Sequence, residues 1–280
     1  MSEHFVVEAG IMSALIPHPT ALLEGRLRAR YDRFIAEVDL EGRLVDAHCV
    51  NPGKMEGLVR PGVRAWLSRA LPGSKRKLAY TLELLEHDGR VVGANTNAPN
   101  RIAEALIRAK ALKGLSRYRS VEREVRYGEK SRVDLRLAVG SRHHYIEVKN
   151  CHLVYPDGCA YFPDSVSARA SGHLSELARQ CEAGDLATVL FVVQRTDANR
   201  LRPSALHDPA FSEAARDARR RGVRFRAVLV DPRVDGYRYV GEIPVVLGAY
   251  DPARIAPYRV ANDPWSGWTR RGGKLVAARV

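Results

Sequence analysis

Between Leu22 and Asn97 the chain alternates apolar and polar positions in short runs, at 25–29, 34–38, 44–48, 63–68, 80–85 and 91–95. Asn51-Pro52-Gly53, Arg60-Pro61-Gly62, Leu71-Pro72-Gly73 and Asp88-Gly89 punctuate them. Period-two alternation broken by turn residues predicts strands, and five or six of them in about 75 residues predict a small barrel such as the OB-fold.

The texture changes at Pro99. Residues 100–111 space Ile102, Ala105, Leu106 and Ala109 on one helical face, and 121–127, 133–139 and 145–148 then read as strands. A helix follows, with Asp164 as its N-cap and Leu174, Leu177, Ala178 and Cys181 on its apolar side. The continuous apolar run 186–193 is that of a strand covered on both faces; an amphipathic helix over 209–221 and a strand over 224–230 follow. The fold class expected is mixed α/β, divided into an arm (1–21), an OB-like barrel (22–98), an α/β domain (99–248) and a basic extension (249–280). The arm, apolar around 11–16 and broken by Pro17 and Pro19, receives no role from its sequence.

Charge narrows the partners. Lysine and arginine number 45 against 32 acidic residues, a formal net charge of +13, which favours an anionic partner, with nucleic acid the first candidate. Cys49, Cys151, Cys159 and Cys181 form no CxxC pair, and acidic residues stand in the first ten positions where a signal peptide has basic ones, so a reducing cytoplasm is expected. No apolar run approaches the ~20 residues of a membrane-spanning helix.

The chemistry concentrates on two adjacent strands. In Val133-Asp134-Leu135-Arg136-Leu137, alternation turns Val133, Leu135 and Leu137 toward the core and Asp134 away; in the next strand Ile146 and Val148 turn inward while Glu147 and Lys149 share the other face. Once the strands pair, two carboxylates and an ammonium converge. Hydrolysis of a phosphodiester needs that set: hard oxygen ligands for Mg²⁺ or Mn²⁺, and a cation to offset charge growing on the phosphate. Asp134 and Glu147 are the candidate metal ligands; Glu104 and Glu124 are candidates for a third carboxylate. The competing reading makes all of these surface charges on a half-solvated strand pair.

Longer motifs accompany this set: Leu22-Leu23-Glu24-Gly25-Arg26, His48-Cys49-Val50-Asn51-Pro52-Gly53-Lys54-Met55, Lys75-Arg76-Lys77, Pro99-Asn100-Arg101, Ser131-Arg132-Val133-Asp134, Ile146-Glu147-Val148-Lys149-Asn150, Tyr161-Phe162-Pro163-Asp164-Ser165-Val166 and Phe191-Val192-Val193-Gln194-Arg195. With them the chain resembles the sugar fermentation stimulation protein A family over roughly residues 22–247. The resemblance implies an OB-like domain followed by a domain of the PD-(D/E)xK nuclease type, with Asp134, Glu147 and Lys149 at the superfamily's Asp, Glu and Lys and Mg²⁺ or Mn²⁺ as metal. It also implies DNA binding linked to regulation of sugar use, so the alternative to an enzyme is a non-catalytic regulator that keeps the nuclease architecture. Where relatives tend to read Arg-Gly-x-Lys-His-Leu, this chain has Arg169-Ala170-Ser171-Gly172-His173-Leu174 and lacks the lysine.

The nucleic-acid-binding set expected is Lys75, Arg76 and Lys77 on a barrel loop, with Asn51, Lys54, Arg101 and Arg132; DNA is favoured over RNA. Asn51, Asn95, Asn97 and Asn100 fall at turns, where capping the backbone competes with reading bases. Trp265 and Trp268 in the extension either stack on bases, dock on a second subunit or pack on their own domain, which leaves a homodimer open. His143, His144, Cys151, His152 and Cys159 fit no zinc-module spacing.

Overall fold

The computed structural model describes residues 15–74, 76–127 and 131–270, together with the backbone of 274–275. The strands are β1 (Leu15–Pro17), β2 (Leu22–Tyr31), β3 (Ile35–Leu40), β4 (Arg43–His48), β5 (Arg64–Arg69), β6 (Tyr80–His87) and β7 (Arg90–Gly93), followed by helix α1 (Ala98–Arg108). Next come β8 (Val121–Tyr127), β9 (Ser131–Val139), β10 (Arg142–Cys151), β11 (Leu153–Val154), β12 (Cys159–Phe162) and α2 (Ala168–Glu182). The chain continues through β13 (Leu186–Val193), β14 (Arg200–Pro203), α3 (Pro209–Arg220), β15 (Arg224–Arg233), β16 (Gly236–Ile243), α4 (Ala256–Asn262) and β17 (Thr269–Arg270).

The barrel forms as its alternation predicts. Strands run in the order β2-β3-β4-β6-β5, and β5 pairs back onto β2 to close the ring. Leu27, Val38, Ala47, Leu67, Leu82 and Leu85 fill its interior. Closure hides strand edges that would otherwise remain unpaired.

The second sheet has the order β1-β16-β15-β13-β10-β9-β8, with α2 and α3 on one face and α1 on the other. β13 lies between parallel neighbours β10 and β15 and is buried along nearly its whole length, which is why it reads as a continuous apolar run. Trp66 and Leu84 of the barrel belong to the same apolar cluster as Ile102 and Leu106 of α1 and Leu135, Ile146 and Val148 of the sheet, so the barrel docks on the α1 face. Within the barrel, Arg30, 3% exposed, donates to the carbonyls of Gly53 (2.9 Å), Asn51 (2.6 Å) and Arg33 (2.8 Å), and to that of Gly267 (3.2 Å) in the extension, so it ties the barrel loops to the extension. A Cβ at Gly93 would collide with the Gln194 side chain, so glycine is what lets β7 approach β13.

Several expectations need correction. Ser167, not Asp164, caps α2, accepting from the Ala170 N–H; Asp164 instead accepts the Met55 N–H (3.3 Å) and faces His152, tying the barrel loop to the sheet. Ala109 is exposed at the end of α1 rather than on its apolar face. Val133 packs with the α2 cluster whereas Leu135 and Leu137 pack against α1, so strict alternation fails at Asp134. The last residues of the arm form β1 on β16, and Trp268 lies against Arg30 and Arg33 with Thr269 paired to Tyr31, so this part of the extension packs on its own barrel.

Candidate carboxylate cleft and basic groove

The break in alternation at Asp134 creates the site. The β9–β10 ladder runs from Val139↔Arg142 to Leu135↔Ile146 and then stops. Beyond it the Val148 N–H donates to Asp134 Oδ2 (2.7 Å), and Asn100 of α1 donates to Oδ1 (2.8 Å). A side chain has taken the place of a ladder partner, the strands part, and a cleft of about 610 Å³ opens, lined by Asp134, Glu147, Glu124, Arg132, His173 and Glu176 among others. On β10, Glu147 faces α2 and is 3% exposed. Its Oε1 accepts from Lys149 Nζ (2.7 Å) and from the His173 imidazole, while its Oε2 is buried without a partner.

The two carboxylates differ electrostatically. Burial, and then the charge of Glu147, push Asp134 up to about 6, because its hydrogen bonds from Val148 and Asn100 and the charge of Lys149 only partly compensate. Glu147 moves the other way. Burial works to raise it, but the His173 hydrogen bond and the charge of Lys149 prevail and hold it below its ordinary value. Among the described residues no three His, Cys, Asp or Glu side chains are placed to hold a metal ion.

A second depression, about 920 Å³, runs between the barrel and the start of α1. Arg69, Arg76, Lys77, Arg101 and Arg123 line it, and its acid, Glu83, is buried and occupied by Ser68 (2.6 Å) and Asn95 (2.9 Å). The first turn of α1 separates the two depressions: Asn97 and Arg101 line the groove while Asn100 reaches Asp134 in the cleft.

Residues 29–94 match the family described as SfsA N-terminal OB domain, and residues 97–236 match the Sugar fermentation stimulation protein RE domain. A Sugar fermentation stimulation protein homolog from Maricaulis maris is 46% identical over 211 residues, covering 75% of this chain and 89% of the relative. The chain belongs to the sugar fermentation stimulation protein (SfsA) family. A homolog from Brucella anthropi is 43% identical over 226 residues, 79% of this chain and 97% of the relative. A solved structure, the SfsA of Pyrococcus furiosus in complex with Ca²⁺, superposes with a TM-score of 0.76 at 26% identity, covering 83% of this chain and 98% of the other.

In this SfsA-family chain the expected residues divide. Asp134, Glu147 and Lys149 come together, with Lys149 held on Glu147. Glu124, left-handed in backbone and exposed, and Arg132 stand at the rim of the cleft. Glu104 does not reach it: Arg108 (2.9 Å) and Arg123 (3.4 Å) engage both its oxygens. Arg76, Lys77 and Arg101 line the groove, with Arg101 also donating to the Pro17 carbonyl (2.5 Å); Lys75 lies outside the described residues. Asn51 is buried and caps the Gly53 N–H (2.9 Å), and Asn95 caps Asn97, so both serve the backbone. Lys54 contributes its backbone carbonyl, which accepts from Gly267 (2.6 Å). The His and Cys residues near β10 do not assemble a metal site among the described residues; His144 bonds Thr188 (2.8 Å), and Cys151 and Cys159 are buried free thiols.

The sequence reading missed His173 and Glu176. Arg169, His173 and Glu176 follow the i, i+4, i+7 spacing of one helical face, and the signal was a histidine and a glutamate placed between the apolar Ala170, Leu174 and Leu177 on a helix packed against the sheet.

Proposed function

We propose that the chain is a nucleic-acid-binding protein whose cleft hydrolyses phosphodiester bonds with a divalent cation. The observation that carries this reading is the buried, partnerless Glu147 Oε2 beside an Asp134 already burdened by its neighbour's charge. Buried polar atoms without a partner are rare, and two underneutralised carboxylates suit a hard cation. Mg²⁺ or Mn²⁺ fits this donor set, since such ions keep several waters and take only one or two protein carboxylates. Bound there, the cation polarises a phosphoryl oxygen and lowers the pKa of a water. The solved Pyrococcus furiosus relative was obtained with Ca²⁺, an ion with the same preference for oxygen.

The chain's own residues do the rest. Lys149 and His173 fix one oxygen of Glu147 and leave the other without a partner; Asn100 and the Val148 N–H orient Asp134. Arg132 and Arg169 at the cleft attract the phosphate. The groove, with no Phe, Tyr or Trp among its lining residues, grips the sugar–phosphate backbone through Arg69, Arg76, Lys77, Arg101 and Arg123. Its size and charge, which owe nothing to the carboxylates, favour a second reading: DNA binding without cleavage, as a regulator.

Binding separates grip from cation. Glu147→Gln is expected to bind oligonucleotide in chelator at least as tightly as the parent, and to lose Mn²⁺ uptake measured by electron paramagnetic resonance. Unchanged Mn²⁺ uptake in both Glu147→Gln and Asp134→Asn removes the metal from this cleft.

A further inference from the structure

We propose that Glu176 is the third carboxylate of the cleft and that, with the hydroxyl of Tyr127 buried beside it, it holds the water that attacks the phosphodiester; this rests on the hydrolytic reading above. Three buried polar atoms here have no partner: Glu147 Oε2 and Glu176 Oε2, on residues that line the cleft, and Tyr127 Oη, on a residue that lies behind the lining within reach of the charges of Glu147, Glu176 and Asp134. Such atoms call for a missing ligand or water.

Glu147 and Glu176 both line the cleft, from β10 and α2. Tyr127, 6% exposed, ends β8 opposite Ser131, another lining residue, and its ring stacks on Tyr145 at 5.4 Å. Burial first, then the charges of Glu147, Glu176 and Asp134, push its phenol upward, so it stays a protonated donor among acceptors. A partnerless O–H donor and a partnerless carboxylate oxygen are what a bridging water satisfies, since it accepts from the first and donates to the second.

The other candidate acids are spoken for or misplaced. Glu104 is held by two arginines, and Glu124 is exposed at the rim. Glu176 has only Arg179, 3.7 Å away, and keeps one oxygen open. Among the described residues no three His, Cys, Asp or Glu side chains are placed to hold one ion, so Glu176 is assigned to the water rather than to the metal. In the step itself the water oxygen bonds to phosphorus while its proton passes to the Glu176 carboxylate. The bond from phosphorus to the departing ribose oxygen breaks, and that oxygen takes a proton from solvent.

The test compares the full-length protein with Glu176→Ala and Tyr127→Phe. Glu176→Ala is expected to lose about 10²–10⁴-fold in cleavage, to regain part of it with added formate, and to keep Mn²⁺ affinity within about twofold. Tyr127→Phe is expected to melt no lower than the parent, since its hydroxyl bonds nothing within the fold. Undiminished cleavage in Glu176→Ala, loss without formate rescue, or a Tyr127→Phe midpoint several degrees lower overturns the assignment. A parent that takes up Mn²⁺ yet cleaves nothing sinks the hydrolytic reading itself, and this proposal with it; a parent that cleaves beside an unaffected Glu176→Ala sinks only the proposal.

Discussion

Asp134 carries a charge that the fold disfavours. Its folded value, about 6, lies above the ordinary carboxylate range, so the folded state prefers the proton and this group stabilises the fold at low pH. As pH rises from about 4 through 6 that contribution is lost, at most about 3 kcal/mol. Glu147 has the opposite sign: held below its ordinary value, it loses stabilising effect only as pH falls through the acid range. The two windows are therefore separate. Asp134→Asn is expected to raise the thermal midpoint at pH 7.5 and to leave it nearly unchanged at pH 4, measured without divalent cation. An unaltered midpoint at both pH values would mean that Asp134 is already neutralised in the fold. This electrostatic split could not be read from Val133-Asp134-Leu135, because it depends on the burial of Asp134 beside Glu147 of β10 and on His173 of α2 reaching Glu147, contacts that only the fold makes.

At the scale of elements, what the sequence made legible was whatever obeys a short period. The barrel strands and the amphipathic helices α1 and α3 repeat every two or 3.6 residues because each buries one face, and β13 reads as an unbroken apolar run because it buries both. The two-residue β11, the four-residue β12 and β14 and the edge strand β1 are too short to show a period; β1 and β14 are held by partners far along the chain. Asp164 misled for a similar reason: an acid before a helix resembles a cap, while its true partner is the Met55 N–H of the barrel. Two changes test how these elements are held together. Gly93→Ala drives a methyl into Gln194, where the barrel meets the sheet, and is expected to destabilise by about 1–3 kcal/mol in denaturant titration. Arg30→Ala strips donors from the Gly53, Asn51 and Arg33 carbonyls of the barrel loops and is expected to cost about 2 kcal/mol or more. A wild-type midpoint for Gly93→Ala would show that the barrel's seat does not need this close approach, and one for Arg30→Ala that the barrel loops hold without these donors.

Across the whole molecule, a basic groove and an acidic cleft lie on either side of the first turn of α1, which keeps the residues proposed to grip apart from those proposed to react. Charge composition pointed to the groove's existence but not to its place, since basic residues are spread along the chain and only the packing of α1 and β8 beside the barrel gathers four arginines and Lys77. Arg76→Ala combined with Lys77→Ala is expected to weaken binding and to flatten the dependence of log K on log salt by about 1.4 for single strands or about 1.8 for duplex, with the thermal midpoint unmoved. An unchanged slope would move the contact surface away from this groove. The central claim is that the fork between β9 and β10 cuts what the groove holds, and cleavage of end-labelled single-stranded DNA, duplex DNA and RNA tests it most directly. The account predicts fragments from at least one substrate with Mg²⁺ or Mn²⁺, none in chelator and none from Glu147→Gln; no cleavage above the Glu147→Gln background with any substrate and metal contradicts it.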